Sequence, residues 1–482
     1  VREGTMTGRA GSANARGGIS LNLFGFSFWQ AWWILAMCSD IALPQRSHSG
    51  TLFNAFFCIT ILTTMGYLAV VLAGRKFGPF SANPRCFALA GGLGSAGALC
   101  LVLFTAFVYS GSLDALFFLG AVLFSAGNAL LLIMWGELWS TLATGRVGRY
   151  LYASYAFAFV LYFLVTALPQ LVGGLVMSAF PVISVLILRS CRTEEKRSPS
   201  QIDFEIESLS PARIVVALVA LGAVHGFTQR YLNVSGTVPA ETMSYSLLIA
   251  GAMLVVLVLY LIVRQPAVEV LSLYVPIVPA FVIGLVLLSQ LPASLAFAGN
   301  GLVLLAIFST DILVMIVSTD IAFRTRRPVA ICFGLALFCM RLGTTIASAS
   351  VYVLLTDGAL APSTRPAAFL VGAIIVVLVG SVVFTPTDLA KLYQPRQTGE
   401  PDSASTSNCA RIAEACGLTP RETEVLALLS AGRSAPYISN ELCIAESTTK
   451  HHISSIYRKI GVCDRQDLMD VLHRGIAGKG AV

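Results

Sequence analysis

Residues 447–462 read STTKHHISSIYRKIGV, and their spacing sorts two chemistries onto two sides of one helix. Ile453, Ile456 and Ile460 recur at the three- and four-residue steps of a buried face, while Lys450, His451, Ser454 and Arg458 point elsewhere. Basic and short polar groups on the second helix of a helix–turn–helix suit the major groove of DNA. A different chemistry lies upstream. Asp311, Arg341 and Glu137 are charges within apolar runs, where an ionised side chain is costly and is by default a functional candidate. Asp311 lies about 12 residues before Phe323 and Arg341 about 13 after Pro328. At 1.5 Å per residue these two reach similar depths on neighbouring spans, which predicts that they pair. Glu137 is expected near the end of its span, and Asp320 beside the arginines that follow it. All five tryptophans fall in two spans, as Trp29, Trp32, Trp33 and as Trp135, Trp139. Each set shares a helix face, open to two readings: packing and anchoring, or an aromatic-lined pocket for an organic ligand. No nucleophile–base pair, phosphate loop or metal-ligand spacing is visible, so neither an enzyme, a cofactor nor a metal is expected.

The elements that must hold these residues are of two kinds. Of the 482 residues, 56% are hydrophobic and 12% charged, with mean hydropathy +0.79. A soluble chain carries about twice that charge, so a polytopic helical membrane protein is predicted. Apolar stretches of about 20 residues, enough to cross a bilayer, fall near 20–43, 51–73, 86–109, 113–141, 150–168, 170–188, 212–233, 242–263, 270–290, 293–318, 328–355 and 366–386. One long polar connection, 189–211, divides the twelve into six and six. With the first end inside, alternate connections hold 19 Lys and Arg on one side and three on the other, Arg46, Arg230 and Arg365. That asymmetry predicts both termini on the cytoplasmic side of the membrane. The tail 1–19 is basic, and the apolar run after it reads as a first span, not a removed signal peptide. The eleven cysteines read as free thiols, several of them in apolar runs.

A faint internal repeat pairs SAGNALLLI (125–133) with FAGNGLVLL (297–305), in the fourth span of each half. Layout and repeat together resemble major-facilitator-type transporters over 20–390. The loop AGRKFGPFSANPR (73–85) keeps Arg75 and Lys76 but lacks the acidic residue usual between the second and third spans of that class, which weighs against transport.

From 391 to 416 composition turns to Pro, Ser, Thr and Gly, as in a linker whose coil would span roughly 25–35 Å. Beyond it Thr419, Pro420 and Glu422 predict a capping box at a helix start, and Val425, Leu426, Leu428 and Leu429 its apolar face. Helices are expected near 434–442, 446–460 and 464–474. The stretch LTPRETEVLALLSAGRSAPYISNELCIAESTTKHHISSIYRKIGVCDRQDL resembles the LuxR/FixJ-type helix-turn-helix domain throughout, within a domain expected over 417–476 and followed by a tail at 477–482. The resemblance implies a third helix in the major groove and a homodimer through the fourth. By position it implies that Lys450, His451 and Ser454 face bases and that Thr448, Arg458 and Lys459 approach phosphates, with Thr449 in the same contacting segment and His452 structural. Ala445 stands where a Ser or Thr cap is usual, Cys443 where Gly is common, and Tyr437 where Glu is common. Residues from 411 on balance to only +1, so their general pull on DNA is weak. The expectation is an all-α membrane regulator: a twelve-span bundle sensing a small molecule and biasing a four-helix DNA-binding domain. The alternative is a secondary transporter with a fused regulatory tail.

Overall fold

The structure, a computed structural model, describes residues 24–43, 55–108, 114–142, 144–191, 211–234, 241–263, 276–356, 362–383, 409, 411–430, 435–442, 444–462, 467–468 and 471–472. Every regular element among them is helical, and they divide into two compact units, one ending before Tyr393 and one after it. The tail 1–19 and the segments 192–210 and 391–408 lie outside the described residues.

The first unit contains α1 (Phe26–Cys38), α2 (Ala55–Phe77), α3 (Pro84–Leu103), α4 (Ala115–Ser140), α5 (Thr144–Thr166), α6 (Gln170–Ser190), α7 (Pro211–Val234), α8 (Thr242–Val263), α9 (Ile277–Gln290), α10 (Ala296–Thr325), α11 (Val329–Thr356) and α12 (Arg365–Leu378). Among the described residues nine of these are long and apolar enough to cross a membrane; α1, α9 and α12 are shorter, at 13, 14 and 14 residues. They coincide with the expected spans 20–43, 270–290 and 366–386, each of which extends into residues outside the described set. Helices suit a bilayer because they satisfy every backbone polar group internally. The outward surface agrees with that solvent: Leu72, Phe107, Leu164, Leu186, Val256 and Ile374 are all exposed.

Inside the bundle the faint repeat becomes geometry. Asn128 on α4 accepts from Trp29 Nε1 on α1 at 3.1 Å and donates to Tyr67 Oη on α2 at 3.1 Å. Asn300 on α10 accepts from Gln229 Nε2 on α7 at 3.0 Å and donates to Ser246 Oγ on α8 at 3.1 Å. Each asparagine, fully enclosed, thus ties two helices to its own: Asn128 joins α1 and α2 to α4, and Asn300 joins α7 and α8 to α10. The glycine before each lets backbones touch: a Cβ on Gly127 would collide with Gly94 of α3, and one on Gly299 with Gly284 of α9. The packing follows the same exchange, since α3 lies on α4 and α6 as α9 lies on α10 and α12, and α2 on α11 as α8 on α5.

The second unit contains α13 (Pro420–Ser430), α14 (Ala435–Glu441) and α15 (Glu446–Ile460), preceded by a helical turn at 411–415. Its core joins Ile412, Val425, Leu426, Leu429, Ile438 and Ile456 with Leu468 and Leu472, a four-residue step on the expected fourth helix. Only part of that helix lies among the described residues.

Candidate nucleic-acid interface and membrane cavity

On α15 the buried positions are Thr449 and Ile456, flanked by half-buried Ile453 and Ile460, a step of four, three and four. Thr448, Lys450, His451, Ser454 and Arg458 are exposed on the remaining surface. Lys450 and His451 are adjacent, with Ser454 and Arg458 one and two turns on, so the four project from one side. His452 is half-buried, its ring edge-on to His451 at 6.3 Å. Two expected contact residues are corrected. Thr449 is fully enclosed, with its hydroxyl turned back to the Ala445 carbonyl, so it packs instead of reaching outward. Lys459 holds Glu422 Oε2 at 2.6 Å and the Gly417 carbonyl at 3.2 Å, which commits its charge inside the domain. Ala445 caps α15 without a side-chain bond, and Gly461 ends it at φ 77°.

Sequence spacing found the cap at Thr419 but not the hub it belongs to. The Thr419 N–H donates to Glu422 Oε2 at 2.8 Å and the Glu422 N–H to Thr419 Oγ1 at 3.3 Å, the reciprocal capping box. Ser455 Oγ also donates to Glu422 Oε1 at 2.6 Å, so this buried carboxylate ties the start of α13 to α15. Lys459, Ser455 and Thr419 together hold its pKa down at about 2. Arg421, beside it, donates to the Leu442 carbonyl at 2.6 Å and pairs with Glu424. It thereby pins the end of α14, where the turn into α15 begins. A partner 21 residues away leaves no local signal in sequence.

In the bundle, a cavity of about 60 Å³ is lined by Trp33, Thr63, His225, Gln229, Asp311 and Arg341, among others. Asp311 and Arg341 both line this cavity, and Arg341 is the charge whose field Asp311 feels, but the direct ion pair expected between them is not formed. The Arg341 guanidinium also lies over the Trp33 ring, 5.0 Å from its centre, a cation–π contact. His225 and Gln229 were not singled out from sequence; they lie one turn apart on α7, a spacing that could have flagged them. The other tryptophans do not line this cavity. Trp29 bonds Asn128 and stacks on Phe26 at 4.9 Å; Trp32 is wholly buried against Phe124 at 4.2 Å. Trp135 donates to Ser184 Oγ at 3.0 Å, and Trp139 meets Phe26 edge-on at 4.5 Å. Four of the five therefore pack the bundle, because the helix face they share turns towards neighbouring helices. Glu137 is corrected as well: its carboxylate is no free ligand group, accepting the backbone N–H of Phe80 at 2.8 Å and of Ser81 at 2.7 Å. It clasps the α2–α3 loop, the same loop that lacks its usual acidic residue. Asp320 pairs with Arg324 at 2.7 Å, as its neighbourhood predicted.

Residues 417–472 match the family described as bacterial regulatory proteins, luxR family. Over 65 residues, 14% of this chain, the sequence is 42% identical to the HTH-type transcriptional regulator MalT of Yersinia pestis (strain Pestoides F). The MalT of Yersinia pseudotuberculosis (strain YPIII) gives the same figures, and the chain spans 7% of the length of each. The C-terminal domain is a LuxR-type helix-turn-helix. In this LuxR-type domain α14 and α15 make the motif, and Arg421 and Glu422 brace it from α13. The bundle before it has a TM-score of 0.51 to the major facilitator superfamily transporter FucP in its outward conformation. That likeness covers 79% of this chain and 99% of FucP at 15% identity, so it establishes the fold alone. The chain thus joins a bundle with nine helices, among the described residues, long and apolar enough to cross a membrane to a LuxR-type helix-turn-helix domain. These likenesses are to transcriptional regulators and to transporters, not to enzymes.

Proposed function

We propose that the chain is a one-component transcriptional regulator embedded in a bacterial inner membrane, in which the transporter-like bundle senses a small molecule and biases the LuxR-type domain. The exposed side of α15 carries this reading: Lys450, His451 and Ser454 meet base edges, while Thr448 and Arg458 approach phosphates. The balance of +1 from residue 411 on makes one domain a weak binder, so two copies joined through the fourth helix act on paired half-sites. Twelve spans in two sixes, both ends cytoplasmic, complete the bundle; the charge asymmetry and the matched Asn128 and Asn300 ties support this. A ligand entering at Trp33, His225, Asp311 and Arg341 shifts the DNA-competent population only by preferring one arrangement of the bundle.

Genome-wide mapping of DNA bound by the full-length chain in its membrane tests the reading. Discrete promoter sites, lost in the Lys450→Ala, Arg458→Ala double variant, are expected. Enrichment no sharper than that of a chain ending at 390 would refute it. The charged cavity also favours a second reading, a secondary transporter with a regulatory tail. Substrate uptake in proteoliposomes, lost on Asp311→Asn or Arg341→Gln, would support that reading instead.

A further inference from the structure

A second cavity, of about 580 Å³, lies among α7, α9, α10, α11 and α12, with Arg327 of the α10–α11 turn and Val379 and Gly380 just past α12 also on its wall, and no residue lines both it and the cavity at Trp33. Its volume falls within the roughly 300–1,000 Å³ of small-molecule sites. The wall is apolar, with Leu218, Leu221, Phe281, Leu313 and Ala336 typical of it. Three hydroxyls interrupt it, and none asks for water. Thr310, Ser318 and Thr325 each donate to the carbonyl four residues back on α10, at Ala306, Val314 and Ile321. A cavity with its polar groups already satisfied takes apolar matter in preference to water. It is also long: the α10 residues lining it run from Thr310 to Thr325, about 22 Å of helical rise.

One end differs. There α10 stops at Arg326, which adopts φ 53°, and the Arg327 N–H closes back on the Ala322 carbonyl at 3.1 Å. This fixed turn carries the Arg327 side chain to the cavity wall, next to Cys332. Arg327 is the one charged residue on that wall among the described residues, and it is itself exposed. A long apolar chamber ending in a single accessible cation has the complementarity of a molecule with one chain and one anionic head.

We propose that this cavity binds a single-chain anionic amphiphile, its chain among α7, α9, α10, α11 and α12 and its head on Arg327. Such a ligand comes as a free fatty acid or as a lysophospholipid, and the two are separate arms of the test. The full chain in maltoside detergent is titrated with palmitate and, separately, with lysophosphatidylglycerol. Saturable uptake of one molecule per chain in either arm is expected, and the arm that binds names the source. Shortening the bound chain should cost about fourfold in affinity per methylene removed. Arg327→Gln, an exposed substitution that leaves packing intact, should weaken binding about tenfold or more, and Ala336→Trp should abolish it by filling the chamber. Saturable binding in neither arm, or Arg327→Gln binding as tightly as the parent, overturns the proposal even if Ala336→Trp fails to fold. Because binding is read without DNA, its failure is distinct from failure of the DNA-binding reading.

Discussion

At Glu422 two carboxylate oxygens take donors from Thr419, Ser455 and Lys459, and that crowding has a pH signature. The folded pKa of about 2 lies below the ordinary 4.5, so the unfolded chain binds the proton more readily. The stabilisation from this group is complete above about pH 4.5 and is lost as pH falls from there through 2. Hydrogen exchange across α15, pulse-labelled at one fixed pH after equilibration at each acidity, should show protection falling over that window. Glu422→Gln should flatten the pH response and cost about 2 kcal/mol at neutral pH, the scale of a charge-assisted bond lost from a buried site. Lys459 shares this fate, since its charge is spent on Glu422. Its alanine variant should lower the domain's stability while leaving the salt dependence of DNA binding unchanged. Arg458→Ala should instead reduce the salt slope by about one, and Lys450→Ala should cost about 1–3 kcal/mol of discrimination at one base position. A gel-shift titration over several salt concentrations separates the three.

Helices came readily from the sequence because length and apolarity alone define a membrane segment, and α15 came from its isoleucine period. That period already contained Thr449, four residues before Ile453; assigning it outward followed its polar type over its position. Long-range partners were beyond reach. Glu137 reads as a lone charge until α4 packs beside the Phe80 and Ser81 amides, 57 and 56 residues earlier. The tryptophan spacing predicted a shared face, but which neighbour each ring meets depends on helix order in space, and Trp33 meets Arg341 while Trp29 and Trp32 meet α4. The AGN repeat was legible only as likeness, yet its asparagines, Asn128 and Asn300, each join three helices. Asn128→Ala leaves the buried Trp29 indole N–H without its acceptor, and Asn300→Ala does the same to Gln229. Each should cost about 1–3 kcal/mol in thermal unfolding of the detergent-solubilised protein. With no shared partner, the double variant should cost the sum of the two to within about 0.5 kcal/mol.

Each of the two units has its own buried core, so the whole chain should not unfold in one step. Calorimetry should resolve two transitions: Glu422→Gln moves the one belonging to the LuxR-type domain, and Asn128→Ala moves only the other. Division of labour at this scale also has an optical consequence. All five tryptophans of the chain stand in α1 and α4, so ultraviolet emission excited at the indole band comes from the helical bundle, while the LuxR-type domain stays dark. Four indoles are locked in packing and supply a constant background. Trp33 is different, because the Arg341 cation sits on its face in a cavity that also holds Asp311. A molecule that draws the guanidinium away changes the field on that ring alone, and the emission shifts with it. The bundle thus carries a built-in, label-free lamp at the spot where a signal would arrive, and a library of small molecules can be screened against the unmodified protein by colour.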